Sequence, residues 1–190
     1  VRHSVFTLEV CARLDLGPLL GQLRPLLQRA PEHASRDEAW QRHAAAAAVI
    51  LGSLHRVERG CWEYFDDDRI ARSMFDDWCR PLLERDVPRR EPSTANYRVA
   101  AGPRYLALTF VYLLAAGSPG DLELRRTCNL PQSDLWQRLT FRRLLQAVQA
   151  LSFASVKADA MYMVPRDSEW GLTADDLATE KFQYLRVLAG

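Results

Sequence analysis

Tyr105-Leu106-Ala107-Leu108-Thr109-Phe110-Val111-Tyr112-Leu113-Leu114 is the stretch whose reading decides the fold. Turn formers bound it on both sides, Gly102-Pro103 before it and Ala116-Gly117-Ser118-Pro119-Gly120 after it, which favours a strand, although a run this long also suits a helix. Taken as a strand, it is followed by residues 121–128, which read as a shorter, more polar strand returning from the turn to complete a hairpin. Residues 133–152 then carry Leu135, Leu139, Leu144, Leu145, Val148 and Leu151 at helical spacing, and residues 156–164 form a last strand. Thr173-Ala174-Asp175-Asp176 marks one more helix start, since threonine caps and an acid three residues on suits the helix N-terminus.

Working back from the run, residues 4–14 alternate loosely through Val5, Phe6, Leu8, Val10, Ala12 and Leu14 and predict a first strand. Gly17-Pro18 opens a leucine-rich helix over residues 19–29, which Pro25 should kink or split by removing an amide donor. Ser35 and Glu38 have the spacing of a capping box, and Trp40, Ala44, Ala47, Leu51 and Leu54 carry a long helix to about Arg59, with Gly60 as its stop. Asp66-Asp67-Asp68 caps a third helix over residues 69–80, packed through Ile70, Met74, Phe75 and Trp78. Residues 86–96, with Pro88, Arg89, Arg90 and Pro92, have the composition of an exposed loop. The order implies an α+β fold, a ferredoxin-like βαββαβ sandwich with an enlarged helical layer of three helices between the first and second strands. The whole chain, residues 1–190, reads as one domain, with a helical insertion over about residues 17–85 and a sheet-forming part over about residues 103–190. That fold puts the second strand at a sheet edge, so a run this apolar requires either a helical cover or another strand order.

Two segments also carry a family resemblance. The strand led by Tyr105 with a central Thr109, the strand ending in Pro165, the helix start Leu172-Thr173 with Leu177, and the closing Leu185, Arg186 and Leu188 together resemble an uncharacterised family of cyanobacteria and chloroplasts, domain of unknown function fifteen-seventeen. The resemblance covers about the last 85 residues, and the helical first half fits in outline. The chain departs from the family pattern at Ala160 and Met163, where Glu and Trp are common, and at Phe182-Gln183, where Tyr-Pro is common. Members commonly follow an N-terminal membrane anchor, and the family has no established catalytic residues. The resemblance therefore implies a membrane-associated accessory role.

Composition excludes several activities. Net charge is +1 with both signs present, so no field recruits polyanions or an anionic membrane, and nucleic acid is not an expected partner. Lys157 and Lys181 are the only lysines among the basic residues, a bias expected of a GC-rich bacterial genome. The apolar runs fall short of the roughly 18 to 20 residues of a spanning helix, so membrane contact would need a segment outside this chain. His43 and His55 share the long predicted helix but lie about 120° and about 18 Å apart, too far for one metal. The three aspartates lack the alternation of a calcium loop, no glycine-rich phosphate loop occurs, and no metal or cofactor is expected. Arg89-Arg90, Arg125-Arg126 and Arg142-Arg143 read as solvated arginines pairing with acids.

What remains is a non-enzymatic protein-interaction or regulatory module, with another protein as its expected partner. Trp62, Tyr64 and Phe65, together in a short connection after Gly60, serve either as interface anchors or as a plug for the core, and Arg89 and Arg90 lie on the exposed loop. The first alternative is a small-molecule-binding or enzymatic domain with an unrecognised site. The second is thiol-based redox regulation through Cys11 and Cys128, since first and third strands are neighbours in a ferredoxin-like sheet. Four scattered cysteines without a short spacing otherwise read as buried free thiols, or as two disulfides if the chain is exported.

Overall fold

The computed structural model describes residues 2–14, 18–27, 35–83, 102–165 and 171–190. Strand β1 (His3–Arg13) is buried at every position from 4 to 12, so both of its faces are covered and it lies inside the sheet. It pairs with β2 (Val57–Phe65) on one side and β3 (Tyr105–Ala115) on the other, while β4 (Val156–Val164) and the two-residue β5 (Arg186–Val187) complete the order β4-β3-β1-β2-β5. All pairings are antiparallel. The fold is therefore α+β with one five-stranded antiparallel sheet. Its outer edges are blunted, because β5 is short and β4 carries a register irregularity beside the exposed Lys157 and Asp159.

The register sorts residues between faces, since side chains alternate along a strand. On the first face, Phe6, Leu8 and Val10 of β1 and Leu108, Phe110 and Tyr112 of β3 join one large apolar cluster. Helices α1 (Leu19–Leu27), α2 (Arg36–Gly52), α4 (Pro119–Cys128) and α5 (Arg138–Ala150) supply the rest of it, through Leu23, Ile50, Leu124 and Leu144 among others. The second face is covered by α3 (Asp68–Leu83) and by a C-terminal strap that contains the four-residue α6 (Ala174–Leu177). A second, smaller cluster lies under the strap: Cys11, Cys61, Tyr105 and Ala107 against Leu172, Leu177, Phe182 and Leu185.

Local signals placed several elements where the sequence put them. Ser35 and Glu38 form a complete capping box, with Glu38 N–H donating to Ser35 Oγ at 3.2 Å and Ser35 N–H to Glu38 Oε2 at 2.6 Å. Thr173 and Asp176 do the same for α6. The three aspartates divide their work: Asp67 caps α3 by accepting from the amides of Arg69 and Ile70, Asp68 accepts from His3, and Asp66 pairs with Arg125.

Two expected elements are corrected. Residues 121–128 are helix α4, not the third strand of a hairpin: Ser118 sits at the N-cap, Pro119 at the first turn where its missing amide costs nothing, Asp121 in the first turn, and Arg125 and Arg126 in the last. The long helix ends at Gly52, and residues 57–65 are strand β2 rather than its tail and an aromatic connection. The third helix consequently follows a strand, two α-helices rather than three separate β1 from the next strand among the described residues, and the sheet draws β2 from the stretch expected to be a helical insertion.

Gly60 misled because its role is spatial. Its Cβ, if present, would lie 2.3 Å from a ring carbon of Phe141, so the bare Cα is what lets α5 seat an aromatic ring against β2. We predict that Gly60→Ala destabilises the protein by about 1 to 3 kcal/mol in urea denaturation. Phe141→Leu should offset part of that loss in the double variant, a non-additivity that equal and independent effects would contradict.

Candidate functional site

Glu9 is the one acid of β1, flanked by Val5, Leu8, Val10 and Ala12, and alternation sends its carboxyl to the second face of the sheet. It is 3% exposed. Thr109, directly opposite on β3, donates its hydroxyl to Glu9 Oε2 at 2.8 Å, and Tyr184 of the strap reaches down to Oε1 at 2.9 Å. Cys61 lies opposite on β2, and Tyr162 follows beyond Thr109 on β4 with its hydroxyl on the Trp78 carbonyl at 3.0 Å. Trp78 and Tyr184 meet edge to face at 5.8 Å, so Glu9 lies beneath the seam where α3 and the strap touch.

The electrostatics follow from that enclosure. Burial raises the Glu9 carboxyl above the ordinary glutamate range, and the Thr109 and Tyr184 hydrogen bonds and the Lys181 charge oppose it less strongly. Both hydroxyls donate, one to each carboxyl oxygen, so it is the enclosure and not these two bonds that favours the neutral form. Burial also pushes the Tyr184 phenol well up. Thr7, two residues along the same face and 1% exposed, has a buried Oγ1 without a hydrogen-bond partner among the described residues. The arrangement encloses a carboxyl beneath the strap and ties a surface segment to the central strand.

The residues singled out in the sequence are placed differently. Trp62 and Tyr64 are on β2 and pack against the large cluster, Trp62 Nε1 donating to the Leu135 carbonyl at 3.0 Å and Tyr64 to Asp121 at 2.6 Å. Phe65 lies at the end of β2 opposite Val5. Arg89 and Arg90, with the whole of residues 86–96, lie outside the described residues. Cys11 and Cys128 are separated by the sheet, Cys11 under the strap and Cys128 against the helical face, because the strand expected to carry Cys128 beside β1 is helix α4. Cys61 is the thiol that shares the smaller cluster with Cys11. Desolvation pushes both thiols up to about 12, which leaves them protonated and weakly nucleophilic.

Two other buried polar nodes tie covers to the first face. His43 of α2, 1% exposed, sits 3.0 Å from Asp159 through Nε2 and 2.7 Å from the Tyr112 hydroxyl through Nδ1, inside the rings of Phe110, Tyr112 and Phe153. Asp121 accepts from Ser4, Tyr64 and the Gly117 amide, which holds the start of α4 onto β1 and β2. Glu9, Tyr184, Asp159 and Asp121 were all missed from the sequence. The signal for Glu9 was there, a single acid at an interior position of an otherwise apolar strand. Among the described residues, no three His, Cys, Asp or Glu side chains converge as a metal site.

If the Tyr184 hydroxyl helps to hold the strap, its removal exposes what lies beneath. Tyr184→Phe deletes one hydrogen bond, worth about 1 kcal/mol, so Cys11 and Cys61 should alkylate about fivefold faster in the native protein while Cys128 is unchanged. Equal acceleration at all four thiols would mean general loosening instead.

Against known proteins, no family model, no curated protein and no solved structure matches this chain.

Proposed function

We propose that this protein is a non-enzymatic interaction or regulatory module whose working surface is the second face of its sheet, opened when the strap lifts. The observation that carries the reading is that the strap packs on its own small cluster, apart from the main core. Its regular structure is one four-residue helix, one turn of 3-10 helix at Glu180–Phe182 and a two-residue strand, none long enough to be stable alone. It is anchored at one end by the antiparallel bridge between Tyr105 and Leu172, and at the other by β5 and by Leu188, which belongs to the main cluster. Between those anchors the cover can lift without disturbing the large cluster, the kind of low-stability unit that binding events recruit.

An enclosed apolar patch with a polar centre suits a protein partner, in which an apolar anchor would replace Leu177, Phe182 or Leu185. The layered α+β arrangement is compatible with a ferredoxin-like sandwich, and that comparison, the resemblance to the uncharacterised family and the membrane-associated accessory role it implies belong to this proposal. Among the described residues no helix is long and apolar enough to cross a membrane. A second reading, a small-molecule site, is favoured by the partnerless Thr7 hydroxyl beside Glu9, an atom that a ligand oxygen or nitrogen would satisfy.

Affinity capture tests the first reading with the wild type and with Leu185→Asp, in which the strap cannot reseat. We expect more partner on the variant, and protection of Cys61 from alkylation when it is bound. Equal capture by both proteins without thiol protection would put the contact elsewhere and overturn the reading.

A further inference from the structure

Glu9 is the carboxyl enclosed under the strap, and burial holds its titration above the ordinary glutamate range. The groups around it come from every surrounding element: Thr7 and Cys11 from β1, Cys61 and Glu63 from β2, Thr109 from β3, Tyr162 from β4, Lys181 and Tyr184 from the strap, and, beside the two phenols, Trp78 and Cys79 from α3. Arg59 and Glu58 act on Cys11, and Glu63 and Arg186 act on Cys61. The thiols of Cys11 and Cys61, at about 12, and the two phenols, pushed up by burial, stay protonated across that range. The Lys181 ammonium acts on Glu9 from the strap itself, and the ring of Phe182 lies 5.6 Å from its nitrogen.

We infer that the strap is a proton-gated cover: Glu9 in its neutral form keeps Tyr184 seated, and release of the Glu9 proton to water favours the lifted strap, in which the carboxylate is hydrated. The inference rests on reading the strapped face as the working surface. The geometry gives it a mechanism, because both carboxyl oxygens are engaged by neutral hydroxyls and the carboxyl is enclosed. An ionised carboxylate held there exchanges full hydration for two hydrogen bonds, and lifting the strap restores the water. The sign follows from linkage. In the closed state burial raises the Glu9 titration, and in the open state it returns to the ordinary range, so above that range the open state binds fewer protons. Opening therefore becomes more favourable as pH rises, until the closed state itself titrates and the dependence levels off. Stability contributed by the neutral carboxyl is present at low pH and is lost as pH rises through the closed-state value.

Hydrogen exchange on the whole chain reads this directly, because the amides of Ala178, Thr179, Phe182 and Leu185 are bonded within the strap and those of β1 report the core. Exchange rates normalised to the intrinsic rate at each pH give the opening constant. For the wild type we expect the strap's opening constant to rise with pH between pH 5 and pH 8 while β1 stays protected. Glu9→Gln, whose amide can accept from one hydroxyl and donate to the other, should flatten that rise. Tyr184→Phe, which keeps the buried acid, should open more at every pH and retain the slope. A flat wild-type profile, or the same slope in Glu9→Gln, would overturn the proton gate and leave the lifting strap intact. Strap amides that exchange only together with β1 would overturn both.

Discussion

The carboxyl of Glu9 sits in the central strand of a sheet covered on both faces, and the second layer of the protein is arranged around it. A buried acid with no cation in contact among the described residues is costly, and the cost is contained by bonding each oxygen to a hydroxyl, one from the neighbouring strand and one from the strap. The Tyr184 contact spans 175 residues of chain, so it closes the C-terminal segment onto the first strand. Trp78 then meets the same tyrosine ring and joins the strap to α3. The carboxyl's position thereby fixes the seam between the two covers of the second face.

Three buried polar nodes fasten three covers, and they differ in what holds the acid. Asp121 has three donors, including a backbone amide, and secures α4 over β1 and β2. His43 bridges Asp159 and Tyr112 and secures α2 over β3 and β4 among aromatic rings. Glu9 has two neutral hydroxyls and holds an element without stable local structure of its own. The first two nodes lie against the large cluster, where opening would expose much of the core, whereas the third lies on the small one. Local stability should follow that division, and the strap is the place where a modest change in electrostatics can alter the population of an open form.

Much of the architecture was legible where the signal is local. β1, β3, β4, the capping box at Ser35 and the start of α6 at Thr173 all lie where alternation, turn residues and cap spacing put them. The errors came where one residue type serves two purposes. Gly60 reads as a helix stop in sequence but is a close-approach residue under Phe141, so β2 was absorbed into a helix and a connection. Ser118-Pro119-Gly120 reads as a hairpin turn but is a helix N-terminus, with Gly120 packed against Ser155 and Leu151. The site suffered for the same reason. Which thiol neighbours Cys11, and which hydroxyls reach Glu9, depends on strand register across as many as 175 residues, and no local pattern encodes that.

The closed protein buries a glutamate in a setting that favours its neutral form. Carboxyl carbon chemical shifts measured by NMR across a pH titration test it most directly, with Glu38 as an internal contrast, since the backbone and side chain of Ser35 hold that exposed carboxyl below the usual range. Glu9 should titrate above the ordinary glutamate range and above Glu38. A Glu9 that titrates with the exposed glutamates, or below them, would contradict it.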